Sequence, residues 1–137
     1  MNCKTLYRPV GWKELELIRK SGWTAFPQRL EWQPIFYPVL NQAYAEQIAN
    51  EWNTEDAFSG YCGIVTAFDL PVAYLDQFEM QHVGGAGHDE LWIPAEVLPE
   101  FNAQIRGGIR IIAAFTGSKF ERNEEDELMK VIKPFIG

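Results

Sequence analysis

At 137 residues, 47% hydrophobic and 14% aromatic, the chain has the apolar content of one folded domain and too much of it for a disordered segment. A formal charge of −7 argues against binding a nucleic-acid backbone, because phosphates are held mainly by Lys and Arg, which are dispersed here. No apolar run approaches the about 20 residues of a membrane span, and Lys4 and Arg8 interrupt any apolar signal core. The expected setting is therefore the cytoplasm, with no membrane contact, and the simplest reading of Cys3 and Cys62 is two reduced thiols.

Residues 5–10 read as a short strand. Trp12, Leu15 and Ile18 then recur every third residue, as on an amphipathic helix over 12–20 that stops near Lys20 and Gly22. Residues 23–34, with Pro27 and Pro34, form a loop with aromatic anchors. Residues 35–40 are β-prone, and Pro38 places them on an edge or at a bulge. Asn41 is a candidate cap for the next helix, where Tyr44, Ile48 and Trp52 fall at four-residue spacing beside Ala45 and Ala49.

Residues 61–70 read as a buried strand, ended by Asp69 and Pro71, which open a short helix carrying Leu75 and Phe78. A strand over 79–83, a glycine loop over 84–87 and a strand over 90–94 follow. Residues 95–102 form a short helix or paired turns, because Pro99 limits a regular helix. Gly107 and Gly108 separate them from a final strand over 109–115. The tail over about 121–135 is helical, with acidic residues first and Lys130 and Lys133 late, and Leu128 and Ile132 available to dock it. Nothing divides the chain, so one domain over 1–137 with a core over about 4–116 is expected. Short helices and strands alternate without long crossover helices, which predicts an α+β fold with a split mixed or antiparallel sheet.

His82 and His88, followed by Asp89 and Glu90, match no standard metal-ligand spacing, so no metal is expected. Neither cysteine lies in a nucleophile motif and no Gly-x-Ser-x-Gly occurs. The glycine loop could present N–H groups to a phosphate, but it lacks the ending of a P-loop, and a hairpin loop is the plainer reading. Three side chains stand out on predicted strands: Arg8, Tyr37 and Glu90. Singly they could be an ion pair, a core aromatic and a solvated strand residue.

The segments TLYRPVG, IFYPVLNQAYAEQIANEW and HVGGAGHDELWIPAEVLPEFN resemble a group of short bacterial proteins labelled "ADP-ribosylation/crystallin", over nearly the whole chain up to Phe115. The order of elements resembles the ADP-ribosyltransferase fold, in which a split β-sheet holds NAD. The resemblance implies NAD, or a related nucleotide, as substrate, with cleavage or transfer at the nicotinamide–ribose bond. It implies Glu90 as the carboxylate that stabilises a cationic ribose, with Asp89 the less favoured neighbour. Arg8 would fork onto phosphate or ribose oxygens and Tyr37 would pack on nicotinamide, with Tyr7 and His88 also cofactor-binding. The acceptor is open, since His88 stands two residues before Glu90 at a position that often selects it. A non-catalytic nucleotide- or protein-binding module of the same fold is the alternative.

Overall fold

The computed structural model describes residues 2–85 and 87–136 of the chain, and within them the fold is α+β with every strand pairing antiparallel. The central layer has three strands in the order β1 (Cys3–Val10), β3 (Cys62–Pro71) and β7 (Arg106–Thr116). β3 is buried along nearly its whole length, as the middle position requires, so its composition is apolar rather than alternating. Two short ribbons flank this layer: β2 (Ile35–Phe36) with β6 (Ile93–Pro94), and β4 (Met80–His82) with β5 (Asp89–Leu91). Val39 joins them to it. Its backbone exchanges both hydrogen bonds with Tyr7, at 3.0 and 2.8 Å, and it also bridges Glu90.

Two faces of the sheet are covered by different means. On one face Leu6 and Val10 meet Leu15 and Ile18 of α1 (Trp12–Lys20) and the buried phenylalanines Phe26, Phe36, Phe68 and Phe101. These rings meet tilted or edge-on with centroids 4.7 to 6.1 Å apart, the preferred aromatic geometry. Leu98 and Phe101 come from α4 (Leu98–Ala103), with Leu75 from the one-turn α3 (Val72–Leu75). Leu128, Met129 and Ile132 of α5 (Glu127–Ile132) are fully buried here too, so the tail completes the core.

On the other face lies α2 (Gln42–Glu51), capped by Asn41, whose Oδ1 accepts from the Tyr44 N–H at 2.7 Å. Of the expected stripe, Tyr44 and Ile48 pack at the edge of the buried face beside Ala45 and Ala49, and Trp52 does not. The helix seats on Ala45 and Ala49, fully buried against Val39 and Val65, while Trp52 is 61% exposed. Gly63 is the reason: a Cβ there would lie 2.5 Å from the Ala49 carbonyl oxygen, so helix and strand touch backbone to backbone.

Three further expectations are corrected. Gly107 and Gly108 lie inside β7, with φ of 77° and 80°, where the pairing with β3 shifts register at a bulge. The predicted strands 35–40 and 90–94 are each interrupted, because Pro38 has no N–H for a ladder; the two still run side by side, with Leu40 N–H on the Asp89 carbonyl and Leu91 N–H on that of Pro38. The helix after Pro71 closes at Leu75, before Phe78. No described helix is long and apolar enough to cross a membrane. Cys3 is exposed and Cys62 buried, both free, and burial pushes the Cys62 thiol up to about 12.

Candidate functional site

A cavity of about 370 Å³ opens where β1 ends and α1 begins, within the size range of small-molecule sites. Arg8 to Gly11 form one wall, residues 27–30 of the long loop a second, and Ile48 of α2 with Trp52 just past its end a third. Phe58 and Ser59 stand at the Gly11 end, where Ser59 lies so close that a Cβ on Gly11 would fall 2.6 Å from its Cα. Tyr37, Val39 and Glu90 line the same cavity from the ribbon side.

Arg8 is nearly buried, and its guanidinium is engaged. Nε donates to Glu14 Oε2 at 2.7 Å and Nη2 to Oε1 at 3.0 Å, a bidentate pair, while Nη1 reaches the Tyr37 carbonyl at 3.4 Å. Glu14 lies in the first turn of α1, where its charge also suits the helix dipole. The guanidinium carbon stands 4.6 Å from the centre of the Phe36 ring, in cation–π range. Arg29 approaches the same ring at 6.0 Å and donates its Nε to the Ile35 carbonyl at 3.1 Å. Burial, and next the adjacent Arg8 charge, pull the Arg29 guanidinium below its usual range.

Glu90 is held by two neutral donors, one on α2 and one between β5 and β6. The Tyr44 hydroxyl donates to Oε2 at 3.0 Å and the Trp92 indole N–H to Oε1 at 2.9 Å. Burial first, and then the Glu90 hydrogen bond and charge, push the Tyr44 phenol up to about 12, so it stays a donor across the ordinary pH range. His88 stacks on the Tyr44 ring, centroids 4.3 Å apart and planes 11° apart, with Nε2 3.2 Å from Gln47 Oε1. Trp92 in turn meets the Tyr37 ring edge-on at 6.2 Å. Glu90 is thus the fixed point of an aromatic frame.

The charges at the cavity are not equivalent. Glu14 is neutralised by Arg8. Asp56 caps a turn, accepting from the Phe58 N–H at 3.3 Å and the Ser59 hydroxyl at 2.7 Å. Glu90 has no cation within ion-pair distance among the described residues. Like Asp56, it accepts only from neutral donors, so its charge is not offset by a described cation. Asp89, on the alternate face of β5, is taken by His82 at 2.5 Å.

The structure brings Arg8, Tyr37 and Glu90 to one cavity. Tyr7 does not share it: that side chain packs beside Val39 and Val65 against α2. His88 sits behind Glu90, against Tyr44. The glycine run forms the β4–β5 hairpin connection, fastened to the cap of α2 by Asn41 Nδ2 on the Gly87 carbonyl. None of its described glycines lines the cavity, and Ala86 lies outside the described residues. Among the described residues no three of His, Cys, Asp and Glu gather as metal ligands. Sequence reasoning passed over Glu14, Arg29, Tyr44, Trp52 and Phe58. The only signal for Glu14 was an acid in the first turn of a helix; Arg29 had only its place in a loop pinned by prolines and aromatics.

Comparison of the chain with family models, with curated proteins and with solved structures returns no match.

Proposed function

We propose that the cavity binds NAD and that the protein is ADP-ribosyltransferase-like, cleaving the nicotinamide–ribose bond or transferring from it. The observation that carries this reading is the convergence of Glu90, Tyr37 and Arg8 on one cavity, with Glu90 oriented by two neutral donors and unpaired with any described cation.

The chemistry follows from that carboxylate. When the bond between the ribose carbon and the pyridinium nitrogen breaks, its electron pair passes to nicotinamide, which leaves neutral, and positive charge develops on the ribose. A fixed carboxylate stabilises that charge more than it stabilises the ground state, which is the condition for raising kcat. Water, or an acceptor hydroxyl or amine, then forms the new bond and loses a proton. Tyr37, 38% exposed and braced by Trp92, offers a ring edge or face to nicotinamide. Arg8 holds the frame together through Glu14 and the Tyr37 carbonyl.

The exposed rings of Trp52 and Phe58 at the cavity favour a second reading, a binding module of the same fold that holds a nucleotide or a protein without turnover. Calorimetry with millimolar NAD, paired with an assay for released nicotinamide, tests both. Binding with release supports the enzyme, binding without release supports the module, and no binding removes the NAD reading.

A further inference from the structure

The end of the cavity formed by the long loop contains a guanidinium with unused donors. Arg29 uses only Nε internally, on the Ile35 carbonyl, and both of its terminal nitrogens lack a partner among the described residues. No carboxylate lies within ion-pair distance of it among the described residues, although Arg8, stacked against the same Phe36 ring, has Glu14 to itself. Of these two neighbouring cations, only Arg8 is paired with an internal anion among the described residues. Arg29 lines a cavity whose exposed surface is more apolar than polar, although the Glu90 and Asp56 carboxylates line it too.

The arm that carries Arg29 is built, though it lies in a segment without regular structure. Three residues before it, Phe26 is buried between Phe36 and Phe68. Its backbone is clasped on both sides by Asn102 of α4: the Phe26 N–H donates to Oδ1 at 2.9 Å, and Nδ2 donates to the Phe26 carbonyl at 3.0 Å. On the other side a turn over residues 30–33 is closed by Gln33 N–H on the Leu30 carbonyl and by Leu30 N–H on Gln33 Oε1. The Nε bond to the Ile35 carbonyl ties one edge of the guanidinium to the ribbon and leaves the terminal nitrogens without a described partner. A guanidinium so fixed loses little freedom on meeting a planar or tetrahedral oxyanion.

We propose that Arg29 is the anion-binding residue of this cavity and takes a phosphate-type oxyanion of the ligand, the role that the sequence suggested for Arg8. Arg8 is instead a positioning residue, spent on Glu14. The site is an anion site in its own right; that the oxyanion belongs to the pyrophosphate of NAD rests on the reading given above. Lys13, exposed at the cavity, supplies a second and more flexible positive charge.

The test is calorimetric titration of the wild type and Arg29→Gln with inorganic pyrophosphate, NAD and nicotinamide riboside, which has the same glycosidic bond and no phosphate. The substitution is expected to weaken pyrophosphate and NAD about ten- to a hundredfold, as loss of charge-assisted hydrogen bonds does, and to leave nicotinamide riboside unchanged. Arg29→Lys keeps the charge without the fork and is expected to recover part of the affinity, which guards against a folding effect; thermal melts of both variants accompany the titrations. Equal NAD affinity in Arg29→Gln and wild type overturns the assignment and leaves the NAD reading standing. Loss of riboside binding in parallel overturns it as well, since Arg29 would then be shaping the cavity. Wild type that binds pyrophosphate, but neither NAD nor the riboside, supports the anion site and removes the NAD reading.

Discussion

Gly63→Ala tests how the fold holds the site. Gly63 lies on β3 directly under α2, and a Cβ built there meets only backbone: the Ala49 oxygen at 2.5 Å, its Cα at 2.7 Å and its carbonyl carbon at 2.8 Å. No rotamer can relieve contacts with backbone. Since non-bonded carbons prefer about 3.5–4.0 Å, α2 must withdraw from the sheet by about 1 Å. Overpacking of this kind costs about 1–3 kcal/mol, which for a chain of this length lowers Tm by about 4–12 °C. The displacement travels further, because α2 carries Tyr44, and a hydrogen bond of 3.0 Å to Glu90 does not survive a shift of that size. Circular dichroism melts read the first effect. Tyrosine absorbance titration reads the second, because Tyr44, freed of Glu90, should ionise below its present value of about 12. An unchanged melt together with an unchanged titration would refute the seating of α2 on β3 described here.

Glu14→Ala strands the nearly buried Arg8 beside Arg29 and should cost about 2–3 kcal/mol in urea denaturation, below the usual loss for breaking a buried pair because the Glu14 side chain is 21% exposed; wild-type stability would mean the pair is solvated in solution. Tyr44→Phe removes one of the two donors on Glu90 and should abolish a late-titrating phenol. The sign follows from a neutral phenol favoured in the fold: its contribution to stability is complete below the ordinary tyrosine pKa of about 10 and is lost as pH rises toward about 12. The variant's stability should therefore fall less steeply than wild type between those limits, and identical slopes would count against the Tyr44–Glu90 bond.

Much of the architecture was legible because local chemistry and tertiary packing agree. The 3-residue recurrence in α1 does mark its buried face, and Asn41 does cap α2. In α2 the pattern held for Tyr44, Ile48, Ala45 and Ala49 but not for Trp52; the close seat of Ala49 on Gly63, a glycine on another strand, was not legible from the helix alone. Gly107 and Gly108 read as a break because glycine weakens strands, but two positive φ values inside β7 form a bulge. At the site, placement on predicted strands singled out Arg8, Tyr37 and Glu90; Arg8 and Glu90 do lie on strands, and Tyr37 lies just past β2. Their partners were not legible, since Glu14 and Tyr44 act across element boundaries and Arg29 lies in a segment without periodicity; Trp92, two residues from Glu90, was the one within local reach.

In the function proposed above, Glu90 stabilises a ribose cation formed from NAD in this cavity. Glu90→Gln keeps the shape and removes the charge: its one amide oxygen can still accept from the Trp92 N–H, while its NH2 must donate to the Tyr44 hydroxyl, which reverses to accept. Steady-state release of nicotinamide from NAD by the wild type and this variant is the most direct measurement. The account predicts a loss of about 10²–10³ in kcat with KM little changed, because the lost interaction matters chiefly once the ribose is cationic. Equal kcat in variant and wild type would contradict it, as would a wild type that binds no NAD.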